Sequence, residues 1–334
     1  MESRDRKQTP QAIWKEEDMI SGRKVRTMVL ILRTVGCWWS QKKGCLMCGY
    51  NQATSEKGIG TKELMSQLEV AMESYDGEEM VKVYTSGSFL DEREVPADVR
   101  ERLFNAFPSC QNFLIESRPE FVTEKALSSL PRDRMEIAIG LESSSDEILH
   151  NCINKGFGVK DYERAAKLIR QMGMRLRTYL LLKPPYLTEL QALDDAISSI
   201  RFASSYSENI SLNPVNVQKE THVESLFRRG DYRPPWLWSV VEVLKRGKEG
   251  CDSRVFSIPS GAGTPRGAHN CFRCDPDVIS ALHQFSFSQD ISVFQGLSCD
   301  CQRIWKAQLE LQNFMRTSVD IDKYLSDDLG FNQA

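Results

Sequence analysis

Short apolar, β-branched runs alternate with amphipathic stretches through residues 25–213. The runs of strand length are Val25–Arg33, Met80–Thr85, Asn112–Ser117, Arg134–Leu141, Met174–Leu182 and Asn209–Asn213. Between them, helical spacing of apolar residues occupies Thr61–Ser74, Pro96–Phe107, Glu120–Ser129, Asp161–Met172 and Thr188–Ser204. This order predicts an α/β fold with a parallel sheet and right-handed crossovers. Because six strands are too few for a closed eight-stranded barrel, we expect a partial barrel or an open doubly wound sheet.

The pattern changes near residue 214, where prolines become frequent and a glycine-rich loop spans Ser260–Gly267. Helical patterns return at Trp236–Lys245, Asp277–Gln284 and Gln302–Met315. We therefore expect three parts: an N-terminal extension (1–24), an α/β domain (25–213) and a smaller C-terminal α+β domain (214–334).

The composition is that of a globular protein without strong charge bias. Its 334 residues carry 43 Lys and Arg against 46 Asp and Glu, a formal charge of −3. This excludes nucleic-acid binding driven by bulk positive charge, although a local basic face remains compatible. The first residues are charged and lack a signal peptide's apolar stretch, and the best apolar run, Met28–Leu32, is far shorter than a membrane span of roughly 18 residues. We expect a cytoplasmic protein with no membrane association.

Ten cysteines are many for such a chain. Without an export signal, metal ligation accounts for them better than disulfide bonding. Seven fall into two groups: Cys37, Cys45 and Cys48, then Cys271, Cys274, Cys299 and Cys301. The other three are isolated, and we expect Cys110, Cys152 and Cys251 to be small buried apolar residues.

The first group lies in the loop that follows the first predicted strand, at an edge where parallel α/β folds bind ligands. A tetrahedral zinc site needs four ligands, and no further Cys or His occurs before Cys110. Three thiolates suit a 4Fe–4S cluster with one open iron. The spacing alone leaves both alternatives open.

A three-cysteine loop after the first strand, followed by further β/α units, resembles the radical S-adenosylmethionine (SAM) superfamily. The usual spacing there is C-x3-C-x2-C, whereas seven residues separate Cys37 from Cys45 here. The segments Thr34–Cys37 and Gly44–Asn51 resemble the radical SAM enzymes of archaeosine formation on archaeal tRNA, and more distantly the radical SAM subunit of Elongator. The resemblance implies a partial (β/α)6 radical SAM barrel in which Cys37, Cys45 and Cys48 hold a 4Fe–4S cluster.

The resemblance also implies residues that bind SAM, at the carboxyl ends of consecutive predicted strands. These are Met47, Ser86, Gly87, Ser88, Glu116, Arg118 and Glu142. Small residues suit the turn at Gly87 because backbone must approach the ligand closely, and Met47 is expected against the adenine. Trp38 and Trp39 are expected either to shield the cluster or simply to pack.

The second cysteine group pairs a C-x2-C with a C-x-C sequence. Four thiolates in a chain without disulfides favour structural zinc. A second iron–sulfur cluster and free thiols remain alternatives, because the C-x-C half is tighter than usual zinc knuckles. His269 is a possible substitute ligand, although a hydrogen-bonded loop histidine is the simpler expectation.

Basic and aromatic residues near this group predict a docking surface for RNA, with a solvated helix face as the alternative. They are Arg228, Arg229, Arg233, Trp236, Trp238, Lys245, Arg246 and Lys248. Lys42 and Lys43, in the first cysteine loop, are expected to reach phosphate near the reacting base.

The resemblance implies a tRNA substrate whose 7-cyano-7-deazaguanine at position 15 carries a lysine adduct. Hydrogen abstraction beside the attached nitrogen would lead to C–N cleavage and archaeosine, with Tyr179, Lys183 and Asn213 as candidate neighbours. The implied partners are the lysine-transferring archaeosine synthase and an external one-electron reductant. Two alternatives remain: another radical SAM tRNA-modifying enzyme, of methylthiolase or Elongator type, and a non-catalytic zinc-stabilised tRNA-binding subunit. An enzyme of methylthiolase or Elongator type would need an additional domain. The intact cysteine loop argues against a non-catalytic subunit.

Overall fold

The computed structural model describes residues 5–50 and 58–314. Asn51, which belongs to the motif of the cysteine loop, and Met315, the predicted end of the last helix, lie outside the described residues. None of the helices in the described part of the chain is long and apolar enough to cross a membrane.

A curved eight-stranded sheet forms the centre of the fold, with its strands in chain order. The strands are β1 (Ala12–Ile20), β2 (Arg23–Ile31), β3 (Met80–Tyr84), β4 (Asn112–Glu116), β5 (Met135–Glu142), β6 (Arg175–Leu182), β7 (Asn209–Pro214) and β8 (Arg254–Phe256). β1 pairs with β2 antiparallel, and every later neighbour pairs parallel. The six predicted strands are confirmed to within two residues as β2–β7. The fold is an α/β partial barrel.

The sheet has two strands more than the sequence pattern predicted. β1 lies in the segment taken as an N-terminal extension, and β8 lies in the segment taken as a second domain. β8 is only three residues long, and the Gln289 side chain bonds both the N–H and the C=O of Val255. All three expected parts therefore contribute strands to one sheet. The division of the chain at residues 25 and 214 stays a prediction.

Helices follow the strands and cover the outside of the sheet. They are α1 (Thr61–Ser74), α2 (Ala97–Ala106), α3 (Glu124–Ser128), α4 (Val159–Gln171), α5 (Glu189–Ser204), α6 (His222–Arg229), α7 (Leu237–Lys248), α8 (Asp275–Ser288) and α9 (Cys301–Phe314). The expected helix over Glu120–Ser129 is wrong in extent, because only the five residues of α3 are α-helical. A π-helical segment, Ile148–Ile153, was also not predicted from the sequence pattern.

Charged side chains fill the inner face of the half-barrel near its amino-terminal edge. Asp18 of β1 is bonded to Arg177 at 3.0 Å, Arg254 at 2.6 Å and Lys82 at 2.7 Å. Burial alone would raise the pKa of Asp18, but these cations together hold it well below its usual value. This network shows why β1 was missed: its acidic residues look like solvent-exposed charges in the sequence.

Candidate functional site

The three cysteines of the first group lie at the carboxyl edge of the parallel sheet, in the loop after β2, and all three are half-buried. The seven residues between Cys37 and Cys45 form a compact turn in which the Trp39 carbonyl accepts the N–H of Gly44 at 3.0 Å. Cys45 and Cys48 are joined by a backbone hydrogen bond of 3.2 Å. The long spacing therefore builds an ordered turn.

Trp38 and Trp39 of this turn are held against the neighbouring strand ends. The Arg118 guanidinium lies over both rings, 5.9 Å from the Trp38 centroid and 5.7 Å from that of Trp39. Trp38 Nε1 donates to Glu120 Oε1 at 3.0 Å, and Trp39 Nε1 donates to the Asn154 carbonyl at 2.8 Å. Both tryptophans thus pack between the cysteine loop and the loops after β4 and β5.

The segment at the end of the π-helix, residues 153–156, supports the cysteine loop from one side. The Ile153 carbonyl accepts the N–H of Leu46 at 2.9 Å, and Asn154 Nδ2 donates to the Gly44 carbonyl at 2.7 Å. A Cβ on Gly156 would lie 2.5 Å from the Trp39 ring, so only glycine fits there.

On its other side, the loop contacts the chain that follows β7. Gly49 N–H donates to Gln218 Oε1 at 2.6 Å, and Val223 N–H donates to the Leu46 carbonyl at 3.3 Å. Met47 packs against the apolar cluster that includes Val223. Its expected contact with adenine stays a prediction.

The turn Ser86–Gly87–Ser88 after β3 packs directly on the cysteine loop. Glu94, which is buried, accepts the N–H of Gly87 at 3.1 Å and of Ser88 at 2.6 Å through its two oxygens. It also accepts the hydroxyl of Thr34 at 2.7 Å. Burial raises the pKa of Glu94, against the lowering effect of these hydrogen bonds. One carboxyl group therefore joins the strand leading to Cys37 to the glycine turn.

Glu116, at the end of β4, lies on the inner side of the sheet near Tyr179 of β6. Burial raises its pKa to about 8, while a hydrogen bond from Tyr179 acts in the opposite direction. The neighbouring Glu142 adds to the increase. The raised pKa means that burial disfavours the charged form of this carboxyl. The expected contact of Glu116 with SAM stays a prediction.

Glu142, at the end of β5, is paired with the Lys155 ammonium at 2.7 Å, and both side chains are largely buried. Glu142 has a φ of 69° beside a bulge in β5. A Cβ on Gly140 would lie 2.4 Å from Glu142 Oε1 and 3.0 Å from Lys155 Nζ. The pair thus occupies the space that the missing side chain of Gly140 leaves.

Arg118 is buried and bonded within the protein. It donates to Glu120 Oε1 at 2.7 Å and to the Lys155 carbonyl at 3.1 Å, while its own N–H donates to Ser88 Oγ at 3.0 Å. These bonds connect the ends of β3, β4 and β5. The expected direct contacts of Arg118 and Ser88 with SAM stay predictions.

The donor set of the cysteine loop suits a cluster better than a single ion. Among the described residues, sulfur atoms gather within 4.8 Å of one another only in the second cysteine group, so the three thiols of the first are spread more widely. Burial raises the pKa of Cys45 to about 12, while the Lys155 ammonium and the Arg118 guanidinium act to lower it. Two cations beside a wide three-thiol site fit a cluster that brings negative charge.

The second cysteine group converges at one point between α8 and α9. The sulfur of Cys271 lies 3.8 Å from that of Cys274 and 3.6 Å from that of Cys299, and the Cys274 and Cys301 sulfurs are 3.6 Å apart. Tetrahedral zinc with bonds of about 2.3 Å to sulfur requires separations of about 3.8 Å. All four sulfur atoms lie within 4.8 Å of one another, so the group could hold a metal ion.

Hydrogen bonds to these thiols come from neighbouring side chains. Trp238 Nε1 donates to Cys301 Sγ at 3.2 Å, and Asn270 Nδ2 donates to Cys274 Sγ at 3.5 Å. His269 instead hydrogen-bonds the Gly267 carbonyl and stacks on Phe272. Its ring is thus engaged as a loop histidine, the simpler of the two expectations.

The expected RNA-docking surface is wrong for its aromatic members. Trp236 and Trp238 are buried, and Arg233 donates to the carbonyls of His269 and Asn270. Lys248 likewise bonds backbone carbonyls at the end of α7. The exposed part of the set is reduced to Arg228, Arg229 and Lys245, while Arg246 is half-buried. Helix α7 is apolar on most of its surface, a pattern that its basic C-terminal turn conceals.

The three isolated cysteines are buried, as predicted. Burial raises the pKa of Cys110 and of Cys152 to about 12, which keeps both thiols protonated and unreactive.

A half-barrel of parallel strands, with a three-cysteine loop after the first of them and a glycine turn after the second, is the arrangement expected from the resemblance to radical SAM enzymes. No family model matches the chain. The archaeosine synthase subunit beta of Methanosarcina acetivorans is 40% identical over 91% of this chain and 91% of its own length. That of Thermococcus kodakarensis is 36% identical over 89% of this chain and 96% of its own. The chain belongs to the archaeosine synthase subunit beta family.

Among solved structures, the chain is similar to Elp3 of Methanocaldococcus infernus, with a TM-score of 0.49 and 16% identity over 71% of this chain and 59% of that one. It is also similar to methylornithine synthase, with a TM-score of 0.49 and 15% identity over 69% and 63% of the two chains.

Proposed function

We propose that this chain generates the radical that converts a lysine adduct of 7-cyano-7-deazaguanine, at tRNA position 15, into archaeosine. In this reaction a hydrogen atom would be taken from the lysine carbon bonded to the nitrogen, and the resulting carbon radical would give back the one electron spent on cleaving SAM. Addition of water would then break the C–N bond, leaving the formamidine of archaeosine and releasing the lysine remnant as an aldehyde. Membership of the archaeosine synthase subunit beta family supports the product. The observation that carries the chemistry is the packing of the three-thiol loop on the glycine turn, with Cys37 against Gly87.

In this proposal, Cys37, Cys45 and Cys48 hold a 4Fe–4S cluster. SAM is held beside it by the residues at the strand ends, namely Met47, Ser86, Gly87, Ser88, Glu116, Arg118 and Glu142. When bound, the cluster and SAM supply a 5′-deoxyadenosyl radical that can take hydrogen from carbon. Trp38 and Trp39 close the site against water on the side of the cysteine loop.

The substrate would enter from the carboxyl edge of the half-barrel. Tyr179 and Asn213 lie on β6 and β7, and Lys183 follows β6 with its ammonium 2.7 Å from Glu189. They remain candidates for residues around the reacting lysine carbon. Because position 15 lies within the folded tRNA, local opening of the base would cost about a few kcal/mol.

The expected partners are the lysine-transferring archaeosine synthase and an external one-electron reductant. The name of the relatives, which calls them a subunit, supports a complex with a second protein. The formal charge of −3 also favours assistance from a partner in tRNA binding over bulk attraction.

For the second cysteine group, we propose one structural zinc ion held by Cys271, Cys274, Cys299 and Cys301. Three sulfur separations of 3.6–3.8 Å, with all four sulfur atoms within 4.8 Å of one another, support a single ion over a multinuclear cluster. Such an ion would join the starts of α8 and α9 and fix the C-terminal part on α7 through Trp238.

Anaerobic reconstitution with iron and sulfide, followed by reductant and SAM, tests the radical chemistry. We expect 5′-deoxyadenosine from the wild-type chain, none from Cys45→Ala, and wild-type amounts from the buried-cysteine control Cys251→Ala. A wild-type chain that binds no cluster and cleaves no SAM would overturn the proposal. SAM cleavage without archaeosine on lysine-modified tRNA would keep the class and overturn the substrate.

A further inference from the structure

The Glu142–Lys155 ion pair occupies an unusual position for two charges. Lys155 is 8% exposed, and its ammonium lies 2.7 Å from Glu142 Oε1 over the backbone of Gly140. Burying such a pair costs desolvation energy that hydrophobic residues would not require. Glu142 also adopts a left-handed φ of 69°, a strain that proteins concentrate at functional sites.

The backbone around Lys155 is fixed to the cysteine loop. The preceding residues Ile153 and Asn154 bond the loop at Leu46 and Gly44, and Asn154 also accepts the indole N–H of Trp39. The Lys155 carbonyl accepts from Arg118 at 3.1 Å. The backbone of Lys155 is thus held beside the cysteine loop.

Lys155 stays charged in this environment. Burial alone would lower its pKa, but the Glu142 carboxylate outweighs burial and raises it. The two residues before Lys155 hydrogen-bond the loop at Leu46 and Gly44, on either side of Cys45. The positive charge therefore lies beside the loop that carries the three cysteines.

We propose that Lys155 is a positioning residue that sets the reduction potential of the cluster held by Cys37, Cys45 and Cys48, with Glu142 as the opposing charge. The inference rests on the cluster of the proposed function. A fixed positive charge stabilises the reduced cluster, which carries one more negative charge, and a fixed negative charge destabilises it. In a partly buried site, one elementary charge is expected to change the equilibrium constant for reduction about tenfold, or ~59 mV for one electron.

Two substitutions change the charge in opposite senses while breaking the same ion pair. In the reconstituted full chain without SAM, we expect Lys155→Gln to lower the equilibrium constant for reduction about tenfold, and Glu142→Gln to raise it by a similar factor. The double variant Lys155→Gln with Glu142→Gln should return close to wild type, and Lys155→Arg should retain the wild-type potential. A structural disturbance would instead move both single variants the same way.

The measurement is a redox titration followed by electron paramagnetic resonance, with iron and sulfide content determined for each variant. Lys82→Gln, which removes a buried lysine from the other ion-pair network, serves as the control and should shift the potential far less. Equal potentials in all variants that carry a full cluster would overturn the inference, as would a shift in the same direction for both single variants. A wild-type chain without a cluster would instead overturn the proposed function.

Discussion

Gly87 lies directly against Cys37. A Cβ on Gly87 would be 2.7 Å from the Cys37 Cα and 2.8 Å from its Cβ, closer than real side chains approach. The turn after β3 and the cysteine loop after β2 are therefore one packed unit, and Glu94 holds the two together by accepting from both.

The contact predicts that Gly87→Ala disrupts the site. Overpacking of this kind costs about 1–3 kcal/mol, and here the collision is with the backbone of Cys37, a proposed cluster ligand. We expect the reconstituted variant to lose at least half of its iron and nearly all SAM cleavage, measured by iron content and 5′-deoxyadenosine.

Gly60→Ala is the matched control, because a Cβ there meets Glu63 Oε2 at an ordinary 3.6 Å. It should keep iron content and SAM cleavage at the wild-type level. Equal iron and equal turnover in Gly87→Ala and Gly60→Ala would show that the close contact has no role in the site.

The C-terminal metal site predicts a large loss of stability on removal of one thiol. We expect Cys274→Ala to lose the bound metal and to lower the melting temperature by roughly 10 °C, since structural zinc contributes directly to folding. Cys251→Ala, at a cysteine with the same 8% exposure, should change the melting temperature by a few degrees at most and keep the metal. Metal analysis and thermal unfolding check both; an unchanged melting temperature in Cys274→Ala would contradict structural zinc.

Asp195 predicts a pH dependence of stability. Burial raises its pKa to about 6, although hydrogen bonds from Ser143 and Ser199 lower it. A carboxyl whose pKa is higher in the folded state binds more protons there, so stability falls as pH rises from about 4 to about 6. At neutral pH the folded protein therefore carries the full free-energy cost of ionising the buried Asp195.

Asp195→Asn, which still accepts from Ser143, should therefore increase the free energy of unfolding at pH 8 by about 1–2 kcal/mol and leave it nearly unchanged at pH 4. Urea unfolding at the two pH values measures the difference. If Asp195→Asn lowered the free energy of unfolding equally at pH 4 and pH 8, ionisation of Asp195 would have no effect on stability.

The sequence pattern located the cysteine loop and most of the parallel sheet because both signals are local. Apolar runs mark β2–β7, and Cys37, Cys45 and Cys48 lie within one loop. The C-terminal group of four cysteines could also be predicted, since paired cysteines at short spacing in a chain without disulfides are typical of metal sites.

What the pattern missed depends on contacts between distant residues. Glu94 follows Asp91, Glu92 and Arg93, and the four residues look like a solvent-exposed charged turn in the sequence. Nothing in their spacing shows that Glu94 accepts the backbone N–H groups of Gly87 and Ser88. Lys155 is likewise one lysine among many until Glu142 and Gly140 are seen beside it. Trp238 was predicted to lie on a docking surface but is buried, because it hydrogen-bonds Cys301, which lies 63 residues away in the chain.

Archaeosine formation by the reconstituted chain, measured by mass spectrometry of digested tRNA, tests the central claim most directly. The assay supplies the chain with SAM, reductant and tRNA carrying the lysine adduct at position 15, alone and with the lysine-transferring synthase. We expect archaeosine and 5′-deoxyadenosine from the wild type and neither from Cys45→Ala. A wild-type chain that cleaves SAM and leaves the lysine adduct intact, with and without the synthase, would contradict the account.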